Sequence, residues 1–354
     1  MSRFFSEKYQ NLVPYVPGEQ PKDQRYIKLN TNESPFPPSE KALRYAAVAA
    51  KSMQLYSDPE CKALTECAAV RIGISTDQII FSNGSDEILN FAFMAFCDKN
   101  VGAAFPDITY GFYSVFADFN GVQKQIIPLK EDFSIDISDY FGLGKTIFIA
   151  NPNAPTGLYL SPNEIEQIVQ NNPNNVVVID EAYIDFGGES ALPLIDKYDN
   201  LLVIQTFSKS RSLAGGRLGF GVGSKALIQD LNAIKFSTNP FNVNAMTMAA
   251  GLGALEDDDY FRDNCKKIIE NRLWTTEKLR ELGFNVVDSM TNFVLAKHDK
   301  LDGQGLYLAL KAKGILVRHF HTPRLKDYNR ITIGSSAEMQ SLIAAIQEIM
   351  EEGL

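Results

Sequence analysis

Short apolar runs alternate with helix-period segments through residues 31–255. Runs rich in β-branched and aromatic residues stand at Ile79-Phe81, Val101-Phe105, Gln125-Pro128, Thr146-Ala150, Val176-Asp180, Leu201-Phe207 and Gly219-Gly223. Several are continuously apolar rather than alternating, which marks strands buried on both faces. Helix signatures lie between them. S-P-N-E at Ser161 to Glu164 is a capping box with Pro162 in the first helical position, where a missing N–H costs nothing. Ser85 and Asp86 precede the helical pattern E-I-L-N-F-A-F-M-A-F-C. This alternation predicts an α/β fold, a mostly parallel sheet covered by helices on both faces.

The texture changes near Asp257. A long charged helical pattern, D-D-Y-F-R-D-N-C-K-K-I-I-E-N-R, leads to short strands at Val286-Val287, Phe293-Ala296, Ile315-Val317 and Arg330-Ile333. Ser335 and Glu338 frame another capping box, and Met339, Leu342, Ile343, Ile346 and Ile349 then fall on one helix face. Three parts are expected. A proline-punctuated arm over residues 1–30 must lie on the rest to be ordered. A large domain follows over 31–255, and a small α+β domain over 256–354.

The chain has 354 residues, 45% hydrophobic and 22% charged, which is ample material for a two-domain core. Its net charge of -9 argues against nucleic acid or an anionic membrane as partner. A local pocket for a small anion stays open, since it can oppose the global charge. No apolar run approaches the ~20 residues that span a bilayer. Cys61, Cys67, Cys97 and Cys265 form no C-x-x-C pair, and the opening M-S-R-F-F-S-E-K-Y-Q lacks a signal peptide's apolar core. Both features predict a reducing cytoplasm. His298, His319 and His321 are too few for a metal site on their own, so no metal is expected. His319 and His321 would share one strand face. No G-x-S-x-G elbow supports a serine hydrolase.

In an open α/β sheet, ligands bind outside the carboxyl ends of the strands. Four polar motifs fall at such ends: N-G-S-D-E after Phe81, N-P-N-A-P-T-G after Ala150, D-E-A-Y from Asp180, and T-F-S-K from Thr206. Each alone reads equally as a turn, a helix cap or a surface lysine. Together, at equivalent places on one sheet, they outline a site.

The set N-P-N-A-P-T-G, D-E-A-Y and S-K-S-x-x-L-A-G-x-R-x-G-F resembles the fold-type I pyridoxal-phosphate aminotransferases, and most closely the histidinol-phosphate aminotransferase branch. Y-V-P-G at Tyr15, L-N-T-N-E-S-P at Leu29, Tyr56 in L-Y-S-D-P-E, and R-I-T-I-G at Arg330 extend the resemblance over nearly the whole chain. It implies pyridoxal 5'-phosphate held as a Schiff base by Lys209. A crowded, positively charged pocket favours the neutral, nucleophilic form of such a lysine. The resemblance gives the phosphate to Thr206, Ser208 and Arg217 and to the helix opened by Ser85 and Asp86. Asp180 would pair with the pyridine nitrogen, an attraction of roughly 4 kcal/mol at ~4 Å before desolvation. Tyr183 would donate to the phenolic oxygen, and Tyr110 would stack on the ring. The family often has asparagine directly before P-T-G. Here Ala154 stands there with Asn153 one earlier, so either Asn153 reaches the phenolic oxygen or Tyr183 acts alone.

For the substrate, the resemblance implies Arg330 as the clamp on a carboxylate or phosphate, Arg318 for a second anionic group, and Asn32 lining the site. Tyr56 would reach the neighbouring subunit's cofactor phosphate, making a homodimer with shared sites. The implied reaction is ping-pong transamination of a small anionic amino donor, first histidinol phosphate, with 2-oxoglutarate as acceptor. Aromatic amino-acid transamination and decarboxylation of threonine phosphate use the same apparatus.

Overall fold

The computed structural model describes residues 2–352. Its main sheet has seven strands. From edge to edge they are Ile79–Ser82, Gly219–Gly223, Leu201–Thr206, Val177–Asp180, Thr146–Ala150, Ala103–Pro106 and Lys124–Ile127. All run parallel except Gly219–Gly223, which is antiparallel to both neighbours. The boundaries differ from the sequence expectation by one or two residues, the usual fraying of strand ends.

Both faces of this sheet are buried, and successive residues serve opposite cores, as a pleated strand requires. Ile147, Ile149, Val177, Ile179, Leu201 and Val203 belong to one apolar cluster. Phe148, Ala150, Val178, Leu202 and Ile204 belong to another. Each face is roofed by helices. On one side Pro162–Gln170 starts with the expected capping box at Ser161 and Glu164. On the other, Ser85–Phe96 buries Ile88, Leu89, Phe91, Ala92 and Phe93.

The C-terminal part begins with the helix Asp258–Glu281. It holds a four-stranded antiparallel sheet in the order Arg318–His319, Tyr328–Thr332, Phe293–His298, Phe284–Val286. The expected run Ile315-Val317 is split here. Ile315–Leu316 pairs in parallel with Ile27–Lys28 of the arm, while Arg318–His319 joins the small sheet. The arm is thus tied down by backbone hydrogen bonds from Ile27 to Gly314 and from Leu29 to Leu316. Glu19 adds an ion pair with Lys311 and accepts a hydrogen bond from Tyr307 Oη. Arg330 lies in the middle of its strand rather than at its start, directly across from Arg318.

Gly219 shows how tightly the site end of the sheet is built. It is registered between Ser82 and Thr206, and a Cβ there would lie 2.4 Å from Ser85 N and 2.7 Å from Gly84 C. Those are backbone atoms that cannot swing aside. Gly219→Ala is therefore expected to lower unfolding free energy by about 1–3 kcal/mol, the usual cost of overpacking. A denaturant titration would show a lower midpoint at unchanged slope.

Candidate active site

The carboxyl ends of the parallel strands open into two adjoining cavities, an inner one of about 190 Å³ and an outer one of about 750 Å³. Tyr110, Ala154, Tyr183 and Lys209 line both, so Lys209 stands where the two meet.

One end of the inner cavity is rich in donors. Ser85 and Asp86 are the first residues of their helix, which starts after Gly84 at φ 83 with no side-chain cap. Ser82 and Thr206 end the two strands that flank Gly219–Gly223, and Ser208 and Arg217 line the cavity beside them. Thr206 Oγ1 donates to Ser208 Oγ at 3.0 Å, and Arg217 Nη1 donates to the same Ser208 oxygen at 3.4 Å. Arg217 has φ 54, a left-handed conformation that costs a non-glycine residue about 1–3 kcal/mol. A Cβ on Gly84 would sit 2.5 Å from Arg217 Nη2, so the helix entry and the guanidinium share one cradle. In the cradle Arg217 pairs with the Asp86 carboxylate at 3.1 Å. Asp86 also accepts from Tyr110 Oη at 2.7 Å.

The floor carries a buried acid. Asp180, 4% exposed, ends its strand and accepts from Tyr113 Oη at 3.1 Å and from Ala182 N at 3.3 Å. Burial pushes its carboxyl up to about 7, outweighing the Tyr113 hydrogen bond that acts the other way. Its neighbour Glu181 is a different case. It accepts from Ser190, Ala191 N and Gln205, which makes it a loop-holding group.

Lys209 Nζ donates to Thr31 O at 3.3 Å and lies 5.7 Å from the centre of the Tyr183 ring. Tyr183 Oη accepts from Asn32 Nδ2 at 2.9 Å. The arm side of the chain therefore reaches the lysine and the tyrosine directly.

The outer cavity is cationic. Arg318 and Arg330 are cross-strand partners, and both line it. Like charges directly opposite on a sheet repel. Neither forms an ion pair among the described residues. Arg330 donates one bond, to Asn30 O at 3.1 Å, while its buried Nε has no partner. Burial and the nearby Arg318 charge both push its guanidinium down from the usual value. Phe293 and Phe320 lie against it, with centroids at 5.2 and 5.8 Å. An anion bound between the two arginines would remove the repulsion and satisfy the orphaned donor.

One sequence expectation is not met by the geometry. Asn153 is not free to reach into either cavity. Its amide is spent on the loop, donating to Ile108 O and Thr156 Oγ1 and accepting from Thr109 Oγ1. Ala154 is the residue of that loop lining the cavities. Tyr56 lines neither cavity of its own chain, as a residue expected to serve the neighbouring subunit would. It is 86% exposed and stacks on Phe241 at 4.7 Å. The remaining candidates, Asn32, Ser85, Asp86, Tyr110, Asp180, Tyr183, Thr206, Ser208, Lys209, Arg217, Arg318 and Arg330, all line one cavity or the other.

Sequence reasoning missed Tyr113, which sits one helical turn after Tyr110 and holds Asp180. It also missed Arg324, which lines the outer cavity and ties Asp107 at 3.1 Å to Leu129 O and Lys130 O. Among the described residues no group of three or more His, Cys, Asp or Glu is placed to hold a metal. Among the same residues no helix is long and apolar enough to cross a membrane.

Residues 24–346 match the family model for aminotransferase class I and II. A histidinol-phosphate aminotransferase of Brachyspira hyodysenteriae is 50% identical over 99% of this chain and 100% of its own length. One from Clostridium botulinum is 44% identical over 99% of this chain and 100% of its own length. In three dimensions the chain is similar to a histidinol-phosphate aminotransferase from Sinorhizobium meliloti in complex with pyridoxal-5'-phosphate. The TM-score there is 0.90 at 25% identity, covering 99% of each chain. With a sheet edge of this design and likeness along its whole length, the chain belongs to the class I and II aminotransferases.

Proposed function

We propose that the chain transfers the amino group of histidinol phosphate to 2-oxoglutarate, giving imidazole acetol phosphate and glutamate, with pyridoxal 5'-phosphate in the inner cavity. The observation that carries this reading is the unpaired cross-strand couple Arg318 and Arg330 in a cavity that Lys209 also lines. Histidinol phosphate carries a phosphate and no carboxylate, whereas 2-oxoglutarate carries two carboxylates. Two adjacent guanidiniums accept either kind of anion bidentately. One site can therefore serve both half-reactions.

The inner cavity fits a phosphorylated pyridine by its donor set. Ser85, Thr206, Ser208 and Arg217 would hold the phosphate, with the uncapped helix end adding its dipole. Tyr110 would cover one ring face. Asp180, a buried carboxyl with no cation bonded to it among the described residues, would meet the ring nitrogen as counter-charge. Tyr183 would donate to the phenolic oxygen. Ala154 supplies no polar side chain, so Tyr183 carries that contact without help from Asn153. When bound, the cofactor supplies an electron sink at the reacting carbon and carries the amino group between substrates. Lys209 Nζ would anchor it and, once released, take the proton from the carbon bearing the substrate nitrogen. Arg318 and Arg330 would orient the substrate so that this carbon faces Lys209.

Tyr56 belongs to the same proposal through a homodimer. Its exposed ring stands among exposed Met53, Leu55 and Phe241, an apolar surface suited to a second copy. From there its hydroxyl would reach the partner's cofactor phosphate. The proposal places this work in a reducing cytoplasm, where Cys61, Cys67, Cys97 and Cys265 would stay free thiols.

The deciding measurement is the absorbance spectrum of the cofactor-loaded protein as histidinol phosphate is added without a keto acid. The visible band is expected to give way to the near-ultraviolet band of the aminated cofactor. Lys209→Ala should load cofactor yet show no turnover. A visible band indifferent to histidinol phosphate removes that substrate, and phenylalanine, tyrosine and threonine phosphate become the next additions.

Asp180 gives a pH prediction. Burial raises its folded-state pKa to about 7, above the unfolded value, so its contribution to stability is present below about pH 4 and lost as pH rises through 7. The difference of about three pH units corresponds to about 4 kcal/mol as an upper figure. Cofactor-free Asp180→Asn should therefore be more stable than the parent at pH 8 and no more stable at pH 4, by urea midpoint. The same variant should lose most of its cofactor affinity. Tyr56→Ala should stay dimeric by sedimentation and bind cofactor about tenfold or more weakly, the loss of one hydrogen bond to a charged group.

A further inference from the structure

Asn32 is 1% exposed and has φ 57. Its surroundings fix which way its amide faces. Asn32 N donates to Thr332 Oγ1 at 3.0 Å, so that hydroxyl oxygen is an acceptor for the backbone. The hydroxyl proton is then free for Asn32 Oδ1, also at 3.0 Å. Thr332 is 2% exposed and sits on the strand that carries Arg330. Asn292 Nδ2 donates to Asn32 O at 3.0 Å and holds the backbone from another side. With Oδ1 engaged, Nδ2 is left facing Tyr183 Oη at 2.9 Å.

An amide nitrogen only donates. Tyr183 must therefore accept from Asn32, and its own proton is turned away from Asn32. Tyr183 Oη donates to no protein acceptor among the described residues. The residue lines both cavities, beside Ala154 with its methyl side chain. The order Thr332 to Asn32 to Tyr183 is thus a one-way chain of donors that ends at the cavity.

We propose that Asn32 is a positioning residue for the reaction, one that acts through Tyr183 rather than by touching substrate. It aims the Tyr183 proton at the phenolic oxygen of the bound cofactor. This rests on the cofactor placement proposed above. A hydrogen bond donated to a phenolic oxygen drains charge from it. Without that bond the oxygen holds the proton it shares with the lysine-linked nitrogen up to a higher pH. The pH midpoint of the visible absorbance band of the loaded protein reports this directly, without turnover.

Tyr183→Phe sets the scale and is expected to raise the midpoint by about one pH unit, the size of one hydrogen bond to a charged group. Asn32→Asp is the informative change. Aspartate tolerates the left-handed backbone, but its carboxylate only accepts. Tyr183 must then donate to residue 32, and the midpoint should rise comparably. In the Tyr183→Phe background the same substitution should add nothing. A wild-type midpoint in loaded Asn32→Asp overturns the proposal, because it means Tyr183 already donates to the amide. A full additional rise in the Tyr183→Phe background also overturns it, because the effect is then only the new charge. If Asn32→Asp does not load cofactor, Thr332→Val removes the hydroxyl that orients the amide at nearly constant volume. A raised midpoint supports the chain of donors and an unshifted one defeats it. Failure of Tyr183→Phe itself to move the midpoint would remove the placement of Tyr183, and the relay with it, which separates the two claims.

Discussion

A parallel sheet buried on both faces has nowhere to put polar groups except its ends. Every residue of Thr146–Ala150 and Val177–Asp180 is buried, and apart from Thr146 at the amino end the polar groups stand at the carboxyl ends, at Asp180 and at Asn151 just beyond Ala150. Parallel pairing then brings those ends to one edge. Asp180 and Thr206 end neighbouring strands, and Asn151 follows Ala150. The single antiparallel strand does not break this arrangement. It begins at the same edge with Gly219, which has no side chain to compete for space with the entry of the helix at Ser85. The inner cavity follows from the sheet topology, and its chemistry follows from which polar residues terminate the strands.

The site is also where the protein tolerates electrostatic arrangements that folding alone would not favour. Arg318 and Arg330 face each other across two strands with no acid between them. Asp180 is buried with a tyrosine hydroxyl and one backbone N–H in place of a cation. Arg217 holds a left-handed backbone. Opposite charges elsewhere on the molecule are satisfied locally, as at Lys28 with Glu33 and Lys278 with Glu281. Charges left unmatched inside cavities are the kind of cost that a bound ligand of opposite sign offsets. The signs also sort the space: anions belong beside Arg217 at one end and beside Arg318 and Arg330 at the other, and a cation belongs at Asp180.

Much of the fold was legible where its signals are local. Continuous apolar runs, the capping boxes at Ser161 and Ser335, and polar motifs at strand ends require only neighbours in sequence, and the structure has them where the pattern put them. Contacts between distant segments were not legible. The pairing of Ile27–Lys28 with Ile315–Leu316, and of Arg318 with Arg330, depends on a register that composition does not encode. Asn153 illustrates the same limit at the scale of one loop. A shift of one residue looked small in sequence, yet Thr109 and Ile108 on another loop capture its amide and leave Ala154 at the cavity. Tyr113 was hidden because a tyrosine at the start of an apolar helix reads as core, and it is core, with its hydroxyl reaching Asp180.

The arm joins these two scales. Residues Ile27 and Lys28 add a strand to Ile315–Leu316, which precedes Arg318 by two residues. Four residues after Lys28, the same segment places Asn32 between Thr332 and Tyr183, and Thr31 O against Lys209. Backbone pairing is stiff compared with side-chain contacts, so the arm cannot shift at Lys28 without moving Asn32 and Thr31. The strand that carries Arg330 is held to the arm by Thr332 N donating to Leu29 O. The two cavity arginines, Lys209 and Tyr183 are therefore referenced to one short segment, although they come from both halves of the chain. A site assembled this way is complete only when the arm is docked, which makes the order of residues 27–32 part of the catalytic geometry rather than a matter of the termini alone.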